Sequence, residues 1–210
     1  EGFEVGGVHL HHINRNWKPP QTPETEAAGD AIQLHRVHGF RVHHSRLDRT
    51  SSGNKFCFIA NECSQGVFEH NILAGPMQTP VGGASIYLGG TPLTHSTVVR
   101  YNTFLGPTPT AIWSHAPDLQ VVGNLFVGMP RALWTNHQAT VLNNVFSGVG
   151  ESISGGGDAV VRNNIFHLVE QGHVALGGMG ELIQDHNLFS RDPGLPGALV
   201  GDPRFVDPDA

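Results

Sequence analysis

Three hexapeptides, VVGNLF at residues 121–126, VLNNVF at 141–146 and VRNNIF at 161–166, follow one another at intervals of 20 residues. Each has the pattern apolar–x–x–Asn–x–apolar. A repeat of fixed period defines the architecture of a whole chain, so it outweighs local secondary-structure preferences. The same pattern occurs further along the chain in both directions, as FEHNIL at 68–73, VRYNTF at 99–104 and QDHNLF at 184–189.

The spacing of these Asn residues indicates short coils of β-structure. A period near 20 residues is too short for two packed helices, and the Val, Ile and Phe residues of each unit alternate as in strands. Two earlier copies carry Ser45, in VHHSRL at 42–47, and Ile13, in LHHI at 10–13, in place of Asn. The sequence therefore predicts an all-β fold, a right-handed parallel β-helix (solenoid) of about eight coils with three short strands per coil.

Residues 30–53 serve as the example of one coil. Strands are predicted at 31–35 and 40–43, followed by a bend at His44–Ser45 and a third strand that begins at Arg46. Asn suits the bend because its side chain tolerates a left-handed backbone and can pair with the Asn one coil above. Stacked coils lie about 4.8 Å apart, so such residues form ladders.

Composition supports one domain, residues 1–210, and excludes several partners. The chain has 27 Gly, 14 Pro and 14% charged residues, with a formal net charge of −6 and two lysines, Lys18 and Lys55. We expect no nucleic-acid partner, since phosphate backbones are bound by basic stripes. We expect no membrane span either, because apolar runs such as 56–60 are far shorter than the roughly 18 residues needed.

The first strand of each coil predicts the working surface. Alternate residues of a strand face outward, and we take five apolar pairs to face the core: Ile32/Leu34, Cys57/Ile59, Ile86/Leu88, Ile112/Ser114 and Leu133/Thr135. A contiguous patch of outward aromatic side chains is typical of a binding site, and Trp and Tyr suit the apolar faces of sugar rings. A shift of one residue would turn Phe58 inward and Ile59 outward. The outward residues between the pairs are Gln33, Phe58, Tyr87, Trp113 and Trp134.

Polar residues border this predicted column. His35, His115 and Asn136 follow it by two residues, while Asp30, Lys55 and Arg131 precede it by three. Asp48 and Arg49 lie on a connection that enters a first strand. The alternative interpretation is that the aromatic rings only stabilise the sheet or lie beneath long loops such as 17–29 and 75–83.

The coil repeat and the closing segment GDPRFVDP at 201–208 resemble the pectate-lyase-like group of bacterial right-handed parallel β-helix proteins. The resemblance covers nearly the whole chain but includes no active-site motif of pectin hydrolases or alginate lyases. It implies a polysaccharide or oligosaccharide partner in a groove along the first sheet, and an extracellular or periplasmic location.

Cleavage by β-elimination is the favoured activity. A polysaccharide lyase needs a base beside the uronate carboxyl and a cation that stabilises the enolate. Lys55 is the first candidate as base or charge neutraliser, with His35, Arg49 and Arg131 as further candidates. We expect no cofactor, although a lyase could use Ca²⁺. The negative net charge counts against a polyuronate substrate.

Two other classes of function stay open. A glycoside hydrolase needs two carboxyl groups at about 5 Å or 6.5–9.5 Å from each other, and Asp30 and Asp48 form the best candidate pair. A non-catalytic solenoid would hold a glycan without cleaving it. The 14 His residues are concentrated in the first third of the chain, where a ladder of His12, His44 and His70 explains them more simply than a metal site.

The N-terminal segment, Gly2–Val5, begins inside a coil pattern with no amphipathic capping segment ahead of it. Solenoid ends expose strand edges that native proteins cover. We therefore expect a longer polypeptide, or a partner subunit over the first coil.

Overall fold

The computed structural model of the chain contains only β-strands as regular secondary structure in the residues that it describes. These residues are 2–11, 32–48, 56–74, 83–90, 93–106, 108–169, 180–195 and 198–204. The strands form three sheets in which every neighbouring pair is parallel. A parallel β-solenoid is therefore confirmed as the fold.

Sheet 1 has six strands, which come first in their coils: β3 (Ile32–His35), β6 (Phe56–Asn61), β9 (Ala84–Gly89), β12 (Thr110–Ser114), β15 (Arg131–Thr135) and β18 (Glu151–Ser154). Sheet 2 has eight strands: β1 (Phe3–Gly6), β4 (Phe40–His43), β7 (Val67–Glu69), β10 (Val98–Arg100), β13 (Leu119–Val122), β16 (Ala139–Leu142), β19 (Ala159–Arg162) and β21 (Leu182–Asp185). Sheet 3 has nine strands: β2 (His9–His11), β5 (Arg46–Asp48), β8 (Ile72–Ala74), β11 (Thr103–Leu105), β14 (Leu125–Val127), β17 (Val145–Ser147), β20 (Ile165–His167), β22 (Leu188–Phe189) and β23 (Leu199–Val200).

Coils that contribute a strand to all three sheets number about six, so the prediction of eight coils is wrong for the described part of the chain. Within these residues, the coils of β1 and β21 contribute to sheets 2 and 3 alone. The strands of the example coil are confirmed almost to the residue, as β3, β4 and β5 show. The expectation that a longer polypeptide or a partner subunit covers the first coil stays a prediction.

A ladder of buried Asn side chains runs along the corner between sheets 2 and 3. Asn124 donates from its backbone N and from Nδ2 to Oδ1 of Asn144, at 2.9 and 3.1 Å, and also from Nδ2 to the Val99 carbonyl at 2.8 Å. The same bonds recur from coil to coil, and they satisfy polar groups that would be costly to bury unpaired. The ladder members are Asn71, Asn102, Asn124, Asn144, Asn164 and Asn187.

The residue with the left-handed backbone is the one before the ladder Asn. The prediction that the repeated Asn itself adopts this backbone is therefore wrong, whereas its pairing between coils is confirmed. The position is occupied by Asn143 at φ 58° and by Asn163 at φ 57°, while other coils use Gly, His or Tyr there. The alignment of the first coil is also corrected. Leu10 pairs with Leu47, and the backbone N of Val8 donates to Ser45 Oγ, so Val8 rather than Ile13 takes the ladder position.

The core beside this ladder is a stack of parallel phenylalanine rings. Phe104, Phe126, Phe146, Phe166 and Phe189 are fully buried, with successive centroids 4.7–5.0 Å apart and ring planes within 8° of parallel. Large buried aromatic area is a main source of stability in such a core. Within the described residues, no helix has the length and apolar character needed to cross a bilayer.

Candidate functional site

The outer face of sheet 1 carries a column of side chains in register across its strands. Backbone pairing aligns Gln33 with Ile59, then Tyr87, Trp113 and Trp134. The predicted column is therefore correct at four of its five positions. The exception is β6, where Ile59 stands in place of Phe58.

Phe58 is fully buried, with its ring centroid 5.6 Å from Phe40 and 5.1 Å from Phe68. Its assignment to the outer surface is wrong. Of the predicted inward pair, Cys57 is confirmed in the main core. The inward assignment of Ile59 is wrong, since this residue packs in a separate outer cluster with Phe56 and Ala84.

A break in the alternation of three strands of sheet 1 explains this error. Two successive residues are buried in the main core at Cys57–Phe58, Ala111–Ile112 and Ala132–Leu133. The first of each pair is small, which lets both side chains fit inside the coil. As a result, residues three apart face outward together, as Phe56 and Ile59 do, and as Arg131 and Trp134 do.

We call the outer cluster of Phe56, Ile59, Tyr87, Trp113, His115 and Trp134 the aromatic face. The Phe56 ring stacks on Tyr87 with a centroid separation of 4.7 Å. The Tyr87–Trp113 and Trp113–Trp134 pairs are edge-to-face at 6.0 and 5.6 Å. Such geometry is favourable between rings, so the face is a continuous aromatic surface along the solenoid axis.

Accessibility differs along this aromatic face. Phe56 and Ile59 are only 7% and 6% exposed, whereas Tyr87, Trp113 and Trp134 are half-buried. The region that can contact a ligand therefore extends from β9 to β15.

His115 lies among three aromatic rings, with centroids 5.8 Å from Tyr87, 6.2 Å from Trp113 and 5.2 Å from Trp134. Burial lowers the pKa of His115, the nearby His137 lowers it further, and a hydrogen bond with Asn136 acts in the opposite direction. The imidazole is therefore held neutral at physiological pH, a state in which it can accept a proton.

An ion pair borders the aromatic face on β15 and β18. The Nε of Arg131 lies 2.7 Å from Glu151 Oε2, and both side chains are about one-third exposed, at 39% and 33%. Exposed pairs of this kind contribute little to stability. The sequence does not predict Glu151, because the pairing depends on the register between coils.

The remaining predicted site residues are not all brought together. Gln33 and Asn136 are exposed on the outer side of sheet 1. His35 Nε2 lies 3.6 Å from Glu62 Oε1, a carboxylate that also binds Arg36. Asp48 belongs to sheet 3, where its backbone ends β5. Asp30, Arg49 and Lys55 lie outside the described residues, so their predicted roles stay predictions.

The predicted His ladder is confirmed for His44 and His70, which stack with centroids 5.0 Å apart, while His12 lies outside the described residues. The stack continues onto Tyr101 at 5.2 Å, a member that the sequence does not predict because the residue type changes. In the described part of the chain, no group of three or more His, Cys, Asp or Glu residues is placed to hold a metal ion.

Comparison with known proteins gives no relative for this chain. No protein-family model matches it, and neither the curated proteins nor the solved structures contain a significant match.

Proposed function

We propose that this solenoid binds a polysaccharide along the aromatic face of sheet 1. The observation that carries this proposal is the column of Tyr87, Trp113 and Trp134, which are partly exposed and in register on three successive coils. Coils about 4.8 Å apart present one ring at intervals comparable to the length of a sugar unit. A glycan parallel to the solenoid axis would therefore meet one aromatic side chain per coil.

The polar surroundings of the column favour a saccharide over a purely apolar ligand. Asn136 and His115 offer hydrogen bonds next to Trp134, and the Arg131–Glu151 pair offers both a donor and an acceptor. Sugars need this combination of apolar contact and directed hydrogen bonds. Ring stacking for stability alone is the competing explanation, but the buried Phe stack already serves that purpose inside the coil.

Binding can be tested with variants taken from the solenoid itself. Trp134 pairs with Ser154 on the next coil, so Trp134→Ser places a residue that this position already accepts. We expect at least tenfold weaker binding of the best oligosaccharide from a panel of neutral and uronate glycans, measured by calorimetry. Leu125→Thr, which copies Thr103 from the neighbouring coil of sheet 3, is the matched control and should bind normally. Unchanged binding by Trp134→Ser would contradict the proposal.

Cleavage by β-elimination is the second candidate, favoured by a neutral imidazole beside the partly exposed rings. His115 would remove the proton next to the uronate carboxyl, the glycosidic C–O bond on the neighbouring carbon would break to leave a double bond, and the protonated imidazole would return its proton to the departing oxygen. Backbone pairing aligns Arg131 with Thr110, at the opposite end of these strands from His115, so Arg131 would contact a different part of the glycan. A fold of the pectate-lyase-like kind and an extracellular or periplasmic location would suit this activity.

The test for cleavage follows unsaturated products by ultraviolet absorbance together with new reducing ends. His115→Asn is the matched variant, because Ser114 pairs with Thr135 and Asn136 therefore follows at the level of His115 on the next coil. Elimination predicts absorbance that is lost in His115→Asn while binding remains. Reducing ends without absorbance would reject the lyase in favour of a hydrolase, and no turnover on any glycan would leave a binding module.

A further inference from the structure

A second groove lies on the opposite side of the coils from sheet 1, at the corner between sheets 2 and 3. Its volume is about 450 Å³, and it opens beside the first coils of the solenoid. It shares no residue with the aromatic face. The side chains that line it include His9, His44, Ser45, Arg46, His70 and Ile72.

The wall of this groove is a stack of exposed rings. The His44 and His70 planes are within 21° of parallel, and His70 and Tyr101 within 26°. All three residues have a left-handed backbone, at φ 48°, 55° and 56°. Bulky residues adopt this conformation at a cost that Gly avoids, and Gly occupies the same position in two other coils. The rings therefore stack face to face from coil to coil, at a local energetic cost, and the groove meets mainly their nitrogen-bearing edges.

The charge of the groove is positive or neutral. Of the described residues that line it, Arg46 and three imidazoles carry nitrogen donors, and none is acidic. The Glu4 carboxylate contacts Arg41 at 3.2 Å and His43 at 2.9 Å. His43 in turn lies 2.9 Å from the His44 ring, nitrogen to nitrogen.

The charged groups behind this wall are paired with one another. Glu69, only 2% exposed, accepts hydrogen bonds from Arg41 and Arg100 at 2.7 Å each. Arg100 also lies 5.9 Å from the Tyr101 ring centroid. The acidic groups on β1 and β7 thus face guanidinium and imidazole groups of sheet 2, and the groove itself presents nitrogen donors.

We propose that this groove is a binding site for acidic saccharides. The carboxylate of a uronate would accept hydrogen bonds from Arg46 and the imidazoles, while its ring would lie against His44, His70 and the half-exposed Ile72. Imidazole changes its charge between pH 5 and 8, so affinity for the acidic sugar should rise as the pH falls. Charge-assisted hydrogen bonds to carboxylate are the strong contacts that such a site requires.

The solenoid again supplies conservative variants. In His44→Asn and His70→Asn, the new Asn takes a left-handed position that Asn143 and Asn163 occupy in other coils. His186→Asn is the matched control. It replaces a His with Asn at the same left-handed position, φ 53°, but four coils beyond Tyr101 and far from the groove. Each groove variant should keep the thermal stability of the parent chain, which separates loss of binding from loss of folding.

The experiment titrates the full chain with trigalacturonate at pH 5.5 and 7.5, and with neutral cellotriose. We expect binding that is at least tenfold tighter at pH 5.5, about tenfold weaker in His70→Asn, and unchanged in His186→Asn. Trp134→Ser should retain this binding, so a failure of the polysaccharide site on sheet 1 and a failure of this site are distinguishable.

Several results would overturn the proposal. Inorganic phosphate or acetate that binds as tightly as trigalacturonate would identify a simple anion site. Zn²⁺ bound in the absence of sugar, and lost in His70→Asn, would identify a metal site. Equal affinity at both pH values, or equal loss in His186→Asn, would show that the imidazoles of the groove do not hold the sugar.

Discussion

At the scale of single residues, the protonation of His115 links the aromatic face to pH. Burial disfavours the imidazolium and lowers the pKa of this side chain in the folded chain. The unfolded chain therefore binds the proton more readily. The contribution of neutral His115 to stability is complete above the unfolded pKa, about 6.5, and is lost as the pH falls toward the lower folded value.

We predict that the His115 ring titrates below the midpoint of an exposed imidazole, as followed by its NMR signals. Stability in urea should also fall less between pH 7 and pH 5 in His115→Asn than in the parent chain, because the variant lacks this titration. The other His residues contribute equally to both proteins, so the difference isolates His115. A midpoint at or above about 6.5 would contradict the burial of this ring.

At the scale of the structural element, two adjacent asparagines have opposite roles. Asn144 is fully buried and accepts from the backbone N and Nδ2 of Asn124, while its own Nδ2 donates to the Val121 carbonyl at 2.9 Å. Asn143 is exposed and holds the left-handed position at φ 58°. The buried residue supports the ladder, and the exposed one only turns the chain.

We predict that Asn144→Ala lowers the free energy of unfolding by about 2–4 kcal/mol, because buried donors and acceptors of the neighbouring coils lose their partners. Asn143→Gly should change it by less than about 0.5 kcal/mol, since Gly adopts a positive φ without strain. Urea denaturation measures both. Similar losses in the two variants would show that the ladder hydrogen bonds are not the dominant contribution.

The sequence predicts the corner of the Asn ladder well and sheet 1 less well, because the two regions differ in how strictly inward and outward side chains alternate. Sheets 2 and 3 follow strict alternation around Asn, so Val121, Asn124 and Phe126 can be placed from pattern alone. In sheet 1 two neighbouring residues face the core, and a period of two fails there. Strict alternation around Cys57 therefore places Phe58 on the outer surface and Ile59 in the core, the reverse of their positions in the structure.

The polar contacts beside the aromatic face are harder to predict from the sequence than the column of Tyr87, Trp113 and Trp134. The Arg131–Glu151 pair and the His115–Asn136 contact join residues on neighbouring coils or at strand ends. Their formation depends on register between coils, which a single sequence does not specify. The aromatic side chains are predictable because they recur at the same place in each coil.

At the scale of the whole molecule, a solenoid has contacts mainly between neighbouring coils. Strands of central coils pair on both sides, whereas β1 and β23 are edge strands of their sheets in the described structure. Local opening should therefore cost least at the edges.

We predict that hydrogen exchange is slowest for the strands from β10 to β17 and fastest for β1, β2 and β23. Amide exchange followed by NMR or mass spectrometry checks this. The Asn144→Ala variant should speed exchange first in β13, β16 and β19, which flank the substitution. Uniform protection over all strands would instead indicate a single cooperative unit.

The corner that carries the Asn ladder has a constant length from Val42–Leu47 to Val161–Phe166, while the connections that lead into sheet 1 vary from 75–83 to 128–130. The hydrogen bonds of the Asn ladder thus keep the spacing between coils constant, whatever the length of the connections elsewhere in the coil. The short connection 128–130 belongs to this framework, because Met129 is buried and the backbone N atoms of Gly150 and Glu151 donate to the carbonyls of Met129 and Pro130. A new loop grafted beside the aromatic face would have to leave these contacts in place, whereas its length would matter little, since loop closure costs rise only slowly with length.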